Sequence, residues 1–334
     1  MIIEGVDARG LLHCETTALG VLLRQQGLEL SEPMMFGLGA GLGFVYWDAK
    51  GMDLPFLGGR VRPFELTRNL AGRLGLDLEV RETTSRRKAW QNVTDHIDAG
   101  RAVGLQLDSH HLDYFTSKEH FGGHIVAMYG YDDDAARLVD TGQQGGAVTT
   151  GLAALAAARA ERGPMTARNR SFTLTVPERV PAPRDVVVPA IKACAAGFLD
   201  PPIANLGHRG IEKTARQIGR WWGRSADPAR DLPRAALLME HAGTGGALFR
   251  NLYRDFLGEC AELRDDAALR TGHEMYGRAA AMWTGVAGLI AKAGESGDPA
   301  PLDQAATLLH DLSRLEHDAM RALATIETPS APGP

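Results

Sequence analysis

Strand patterns end at a proline-rich stretch near the middle of the chain, and this change restricts the fold more than any other feature of the sequence. Before PERVPAPRDVVVP, the segments DLEVRET, AVGLQLD and SFTLTV read as strands between helical segments. After it, the chain carries only helical patterns. This arrangement is typical of an α+β domain followed by an all-α domain.

The same stretch sets the predicted domain boundaries. A length of 334 residues suits two domains. The sequence predicts an α+β domain over 1–178, a proline-rich linker over 179–188, an all-helical domain over 189–328 and a disordered tail over 329–334. Within the helical domain, the expected helices cover 190–198, 207–224, 231–242, 245–264, 267–294 and 300–327.

Three segments of the first domain bear on function. ETTALGVLLRQQG spaces its apolar residues as a helix does and ends at Gly27, so this helix should begin close to Cys14. LSEPMMFGLGAGLGF has glycine at alternate positions and predicts a loop. GGHIVAMYGYDDDAARLVDT places two apolar runs around Asp132–Asp134, which predicts a β-hairpin.

The composition is that of a cytoplasmic globular protein. A formal net charge of −5 and a pI near 6.1 argue against a general nucleic-acid binder. No stretch has the roughly 20 apolar residues of a membrane span, and MIIEGVDARG does not resemble a signal peptide. Cys14, Cys194 and Cys260 are widely spaced, which favours neither a disulfide framework nor a CxxC zinc site.

Cys14 is the first candidate for chemistry. At a helix N-terminus, the partial positive charge and the unpaired N–H groups favour a thiolate and can stabilise an oxyanion. The alternative is that Cys14 is a small buried apolar residue, as many free cysteines are. Glu15 beside it would oppose thiolate formation if its carboxylate lay close to the sulfur.

The hairpin supplies a partner for this thiol. With the turn centred near Asp133, Asp140 lies opposite Val126, and Val126 shares a face of its strand with His124. Asp140 is then a diagonal neighbour of His124, at about 7–8 Å between backbones, close enough for their side chains to meet. A carboxylate in this place would fix the tautomer of the imidazole and stabilise its protonated form. The alternative is a half-buried histidine with a purely structural role.

These residues lie in segments that resemble a known family. HCETTALGVLLRQQGLELSEPMMFGLGAGLGF, FLGGR and HFGGHIVAMYGYDD followed by LVDT resemble the N-terminal domain of butirosin biosynthesis protein H, which is similar in fold to papain-like peptidases. HAGTGGALFRNLYRDFLGECAEL resembles the helical domain of unknown function that commonly follows it. The resemblance implies a papain-like α+β domain, in which a cysteine, a distant histidine on a strand and an acid on the next strand occur in this order.

The resemblance also implies an activity. The butirosin enzyme moves an acyl group from an acyl carrier protein to the amine of an aminoglycoside. Cys14 would then accept the acyl group from a phosphopantetheine thioester, His124 would relay protons and Asp140 would orient His124. No bound cofactor and no metal are expected. The partners implied are an acyl carrier protein and a small-molecule amine. An amide hydrolase with the same residues and a non-catalytic binding module remain the alternatives.

One departure from the papain-like pattern bears on the choice. Those peptidases usually have an oxyanion-hole glutamine several residues before the cysteine, and GVDARGLLH has none. The N–H of Cys14 can serve as one donor, which leaves the second donor open. This departure favours a thioester as substrate over a peptide.

Four further motifs have weaker functional interpretations. GLGAGLG fails the dinucleotide-binding pattern, because Leu42 stands where the third glycine is required. The glycines over Gly243–Gly246 precede a helix and could hold a phosphate, although a packing bend is the simpler interpretation. His110, His111, His120 and His124 lack a recognised metal-ligand spacing.

A basic helix is the last of these motifs. HRGIEKTARQIGRWWGR presents basic residues at spacings of three or four, which could bind an acidic carrier protein or simply form a solvated face. Trp221 and Trp222 are expected to pack between helices. The basic residues are Arg209, Lys213, Arg216, Arg220 and Arg224.

Overall fold

A computed structural model describes residues 1–117, 119–163, 165–241 and 244–327. Its contacts divide the chain into two units. Unit 1 consists of Met1–Met35 and Arg62–Pro181, and unit 2 consists of Phe36–Val61 together with the chain from Ala182 onward. The division at Ala182 lies within the stretch assigned to a linker, whereas residues 36–61, which the sequence kept with the first domain, belong to unit 2. The predicted tail over 329–334 lies outside the described residues.

Unit 1 is built on a six-stranded antiparallel sheet with the order β3-β8-β4-β5-β6-β7. Its buried centre is apolar, with Val93, Leu105, Val126 and Leu138 inaccessible to solvent. The strands are β3 Asp77–Arg81, β4 Val103–Leu107, β5 His124–Tyr131, β6 Ala135–Val139, β7 Ala147–Gly151 and β8 Ser171–Thr175. The helices are α1 Cys14–Arg24, α3 Glu65–Leu74, α4 Arg86–Asp98 and α5 Leu152–Ala160, with α2 Glu32–Leu38 at the division between the units.

Helix α1 packs against β5 and is buried over almost its full length. It begins at Cys14, as the spacing of its apolar residues predicted, and the chain turns after it at Gly27, whose φ is +79°. Glycine adopts this left-handed conformation without the steric cost that a side chain brings. The N-terminus of α1 therefore lies beside the strand that carries His124.

The predicted hairpin is also present. The Asp132 carboxylate accepts hydrogen bonds from the backbone N–H groups of Asp134 and Ala135, and these close the turn. Ala127 pairs with Val139, the register expected from a turn centred near Asp133. Strand β7 pairs with β6 and was not predicted, because AVTTG is short and rich in small residues.

The prediction of a loop over LSEPMMFGLGAGLGF is wrong. The segment forms α2 and then β1 Leu42–Trp47, which pairs with β2 Phe56–Arg60. Ser31 caps α2 by accepting a hydrogen bond from the N–H of Met34 at 3.0 Å, and Pro33 lies in its first turn. Gly37 is a packing position, since a Cβ atom there would overlap the ring of Phe256.

Unit 2 contains the hairpin β1–β2 and seven helices among the described residues. The predicted helical stretches are confirmed, although 207–224 forms two helices and the first helix begins at Pro183, inside the proline-rich stretch. The helices are α6 Pro183–Leu199, α7 Gly207–Ile218, α8 Trp221–Arg224, α9 Pro228–His241, α10 Ala247–Leu263, α11 Ala267–Ser296 and α12 Ala300–Ala324. In the described ranges, no helix is both long and apolar enough to cross a membrane.

The core of unit 2 holds an ion pair. Arg250 and Glu316 are both inaccessible to solvent and form two hydrogen bonds of 2.9 and 3.0 Å. The indole N–H of Trp283 donates to the same carboxylate at 2.6 Å, and Arg250 also donates to the carbonyl of Gly59. Burial of such charges is tolerated because their hydrogen-bonding groups are satisfied.

Candidate active site

The structure brings the three residues singled out by the sequence together inside unit 1. Cys14 is the first residue of α1, His13 is its N-cap, and the first intrahelical bond runs from the N–H of Thr17 to the carbonyl of His13. The N–H groups of the first turn, including that of Cys14, thus precede the hydrogen-bond ladder of the helix. The side chain of Cys14 lies at this electropositive end, and 7% of the residue is exposed.

The segment before Cys14 is held by Glu32, a residue that sequence reasoning missed. Its carboxylate accepts hydrogen bonds from the N–H groups of Leu12 at 3.0 Å and His13 at 2.8 Å. It also accepts from the hydroxyl of Thr16 at 2.7 Å. Glu32 belongs to the SEP motif, so the motif positions the chain just before Cys14. The conjunction of HC and SEP was the available signal, but the contact itself depends on the fold.

His124 and Asp140 form the expected pair. The Nε2 atom of His124 lies 2.7 Å from Asp140 Oδ2, and Asp140 is inaccessible to solvent. Since Asp140 takes Nε2, Nδ1 is the ring nitrogen left to face the sulfur of Cys14. The second carboxylate oxygen, Oδ1, accepts a hydrogen bond from the N–H of Thr141 at 2.7 Å. The ring is therefore fixed in one orientation, with Nε2 directed at Asp140.

Tyr114 and Phe115 complete this side of the site and were not predicted. The hydroxyl of Tyr114 donates to Asp140 Oδ2 at 2.8 Å. The ring of Phe115 lies edge-on to the imidazole of His124, with 5.2 Å between centroids. Both residues belong to the loop between β4 and β5, and no spacing in the sequence links that loop to Asp140.

The electrostatics of the site favour an ion pair of thiolate and imidazolium. Burial disfavours the charged thiolate, but its electrostatic interactions with His124 and His13 and its hydrogen bond with His124 outweigh this effect and bring the pKa of Cys14 well below its ordinary value. Burial likewise disfavours protonation of His124, yet Asp140 and Cys14 raise the pKa of this imidazole to about 10. The pKa of Asp140 is lowered, because His124 outweighs the effect of burial.

His13 is a second imidazole that acts on the Cys14 thiol. It is buried, with 4% of the residue exposed, and its electrostatic interaction with the thiolate contributes to the low pKa of Cys14. Sequence reasoning quoted the HC pair but gave His13 no role.

Glu15 does not take the opposing role considered for it. Its carboxylate is buried at the N-terminus of α3, where it accepts hydrogen bonds from the N–H groups of Phe64 at 3.2 Å and Thr67 at 3.0 Å. It also accepts from the hydroxyl of Thr67 at 2.8 Å. Glu15 is therefore a capping residue that joins α1 to α3.

Gly10 allows the chain before Cys14 to approach the residue that orients His124. A Cβ atom on Gly10 would lie 2.7 Å from the carbonyl oxygen of Asp140, too close for any side chain. Next to it, the N–H of Gly142 donates to the carbonyl of Leu11 at 2.8 Å. The segment before Cys14 and the segment after Asp140 are thus joined by a backbone hydrogen bond.

The basic residues singled out by the sequence lie on α7, on α8 and between them. Arg216 pairs with Glu212 at 2.9 Å, and Arg224 pairs with Asp48 at 2.8 Å. Arg209, Arg216 and Arg220 are exposed. The face is therefore basic but also carries an acidic residue. Trp221 is buried as predicted, whereas Trp222 is only half-buried.

The remaining sequence motifs have mixed outcomes. His110, His111 and His120 lie together, and the ring of His124 instead faces Asp140. In the stretch Gly243–Gly246, Gly243 lies outside the described residues, and Gly246 precedes α10 with a φ of +65°.

Comparison with known families agrees with this organisation. Residues 13–141 match the family described as butirosin biosynthesis protein H, N-terminal, a range that begins at His13 and ends one residue after Asp140. Residues 153–323, just over half of the chain, match a domain of unknown function, DUF4872. A search of curated proteins found no match. The chain therefore belongs to the family in which an N-terminal domain of the butirosin biosynthesis protein H type precedes a DUF4872 domain.

Proposed function

We propose that the protein is a cysteine-dependent acyltransferase of natural-product biosynthesis, with a carrier-protein thioester as donor and an amine as acceptor. The observation that carries the proposal is the buried chain of contacts from Cys14 through His124 to Asp140, in which the thiol has a lowered pKa. The family supports a biosynthetic setting, because it takes its name from a butirosin biosynthesis protein. A helix bearing the cysteine against an antiparallel sheet bearing the histidine supports a papain-like fold for unit 1.

In the first step, the Cys14 thiolate attacks the carbonyl carbon of the phosphopantetheine thioester. The oxyanion that develops would be stabilised by the N–H of Cys14 at the N-terminus of α1. The carbon–sulfur bond to phosphopantetheine then breaks, and the leaving thiolate takes the proton from Nδ1 of His124. The products are an acyl group on Cys14 and free carrier-protein thiol.

In the second step, the amine attacks the acyl group on Cys14. Nδ1 of His124, now unprotonated, accepts the proton that the amine loses, and Asp140 stabilises the resulting imidazolium through Nε2. The carbon–sulfur bond to Cys14 breaks, which forms the amide and restores the thiolate beside the imidazolium. At the end of the cycle, Cys14 and His124 have returned to their starting protonation states.

Two features support transfer from a thioester over cleavage of a peptide. The exchange between two thioesters is close to balanced in energy, whereas an amide is poorly activated and requires stronger stabilisation of its oxyanion. GVDARGLLH lacks the glutamine that supplies the second hydrogen-bond donor of the oxyanion hole in papain-like peptidases. The burial of Cys14 also suits a narrow substrate arm such as phosphopantetheine.

The test is intact-mass spectrometry of the protein after incubation with acyl carrier-protein thioesters. We expect an acyl adduct that is absent in Cys14→Ser and that disappears when a suitable amine is added, with formation of amide. Cleavage of ordinary peptides without amide formation from any amine would favour the hydrolase. Absence of adducts with every thioester and peptide offered would favour the binding module.

A further inference from the structure

A second group of ionisable side chains lies in unit 1, outside the contacts of Cys14, His124 and Asp140. His111 Nε2 lies 2.6 Å from Glu161 Oε2, and His120 approaches both, so that one potential ligand atom from each residue lies within 4.8 Å of the others. The three residues come from three places: a short turn after β4, the loop before β5, and the end of α5. Glu161 is far from the histidines in sequence, which explains why their spacing alone indicated no site.

A buried carboxylate orients one of the histidines. Asp108 Oδ2 lies 3.3 Å from Nδ1 of His120, which leaves Nε2 of His120 for a ligand. Asp108 is itself fixed, because its Oδ1 atom accepts hydrogen bonds from the N–H groups of His110 at 3.0 Å and Phe121 at 3.1 Å. Only 5% of Asp108 is exposed. Histidines that bind metals commonly have such a carboxylate on their other nitrogen.

We propose that His111, His120 and Glu161 bind a divalent transition-metal ion, of which Zn²⁺ is the best fit. Two imidazole nitrogens and one carboxylate oxygen form a ligand set that zinc accepts, with a water molecule in the fourth position. Tetrahedral ligands at about 2.0–2.2 Å from zinc lie about 3.3 Å from one another. The direct contact between His111 and Glu161 would open by less than an ångström, and His120 would move inward.

The surroundings permit this adjustment. The side chains of His111 and Glu161 are 26% and 33% exposed, and that of His120 is 59% exposed, so all three can change rotamer without disturbing the core. His110 stacks on His120 with 3.9 Å between ring centroids, which limits the motion of the most exposed ligand.

A metal ion at this site would affect the loop between β4 and β5. His111 and His120 stand at the two ends of the segment that carries Tyr114 and Phe115. An ion bound to both would join these ends and tie them to α5 through Glu161. Metal binding would therefore stabilise the loop that holds Asp140 and packs on His124, with no part in the chemistry itself.

The experiment is a zinc titration of the full chain by calorimetry in a Cys14→Ser background, which removes the thiolate as a competing zinc ligand. We expect one ion per chain. His111→Ala and His120→Ala should each abolish saturable binding, while Asp108→Asn should weaken it by about 10–100-fold. His310→Ala is the matched control, since His310 pairs with Glu212 at 2.8 Å but belongs to no cluster of three potential metal ligands among the described residues. That variant should bind zinc as its parent does.

Two measurements keep the result interpretable. Without metal, the midpoint of thermal unfolding should be the same in the His120→Ala variant and in its Cys14→Ser parent, because His120 is largely exposed. A loss of zinc binding in this variant would then not reflect a loss of folding. Co²⁺ bound to the parent should give a spectrum without thiolate charge transfer, as expected for nitrogen and oxygen ligands. The proposal is overturned if no saturable binding occurs in the parent, or if saturable binding survives in either His111→Ala or His120→Ala.

Discussion

At the scale of the residue, the site combines what the sequence could indicate with contacts that only the fold creates. Cys14, His124 and Asp140 could be found because helix and hairpin periodicities are local and fix which side chains share a face. His13, Glu32 and Tyr114 could not be assigned roles, since their contacts depend on how α1, α2 and the loop before β5 pack in three dimensions. The same distinction accounts for Glu15, whose capping role required the position of α3.

The role of His13 can be measured through the reactivity of the thiol. Since His13 helps to lower the pKa of Cys14, His13→Ala should raise it and reduce the thiolate fraction in mildly acidic solution. We expect the midpoint of the pH profile of alkylation by iodoacetamide to rise by about one pH unit, which corresponds to about 1.4 kcal/mol of lost interaction with the thiolate. In the parent protein, alkylation should stay fast well below the pH at which an ordinary thiol is protonated. Identical pH profiles for the two proteins would exclude this role.

Asp140 and Tyr114 can be separated by conservative substitutions. Asp140→Asn keeps the shape but removes the charge that holds His124 as an imidazolium, so turnover should fall by about 10²-fold or more. Tyr114→Phe removes one of the hydrogen bonds on Asp140 and should have a smaller effect in the same direction. Steady-state kinetics with a carrier-bound thioester would check both, with circular dichroism as the control for folding. Equal turnover in Asp140→Asn and the parent would mean that another group orients the ring.

At the scale of the element, local signals predicted most helices and strands but failed where glycine was abundant. The segment LSEPMMFGLGAGLGF was taken for a loop because glycine usually interrupts regular structure. In the folded protein Gly37 lies in α2 and Gly43 in β1, with the other two glycines between these elements. At Gly37 the absence of a side chain makes room for Phe256. Short β7 was missed for a related reason, since its small residues give no alternation of apolar and polar positions.

The exposed basic residues of helix α7 and of the turn after it lead to a prediction about how the carrier protein docks. Carrier proteins are acidic, so the exposed Arg216 and Arg220 should contribute to docking through long-range attraction. The double substitution to Glu should raise KM for a carrier-bound thioester, and the increase should shrink as salt rises. A small soluble thioester should be affected far less. Arg184→Glu, at another exposed position in unit 2, is the control for a change in net charge. Equal losses with both donors would indicate damage to the helical unit.

At the scale of the whole molecule, the sequence separated the strand-bearing part of the chain from its helical part. It did not indicate that residues 36–61 belong to unit 2 together with the helical part. This association is long-range, because the hairpin β1–β2 is held within unit 2 by groups such as Arg250, which donates to the carbonyl of Gly59. Neither partner has a pattern that points to the other. Local periodicity therefore predicts which elements exist, whereas the grouping of elements follows from contacts between distant segments.

The buried ion pair of unit 2 gives the prediction at this scale. Glu316→Ala would leave the guanidinium of Arg250 charged and without its carboxylate in a region closed to solvent, and we expect the free energy of unfolding to fall by about 3–5 kcal/mol. The double substitution Arg250→Met with Glu316→Leu replaces both charges by apolar groups of similar size. It should recover much of the loss, because the largest penalty comes from the unpaired charge and not from the missing attraction. Denaturant unfolding of the parent and both variants would decide the point. A double variant no more stable than Glu316→Ala would show that the pair, with Trp283, is required by its geometry and not only by its charges.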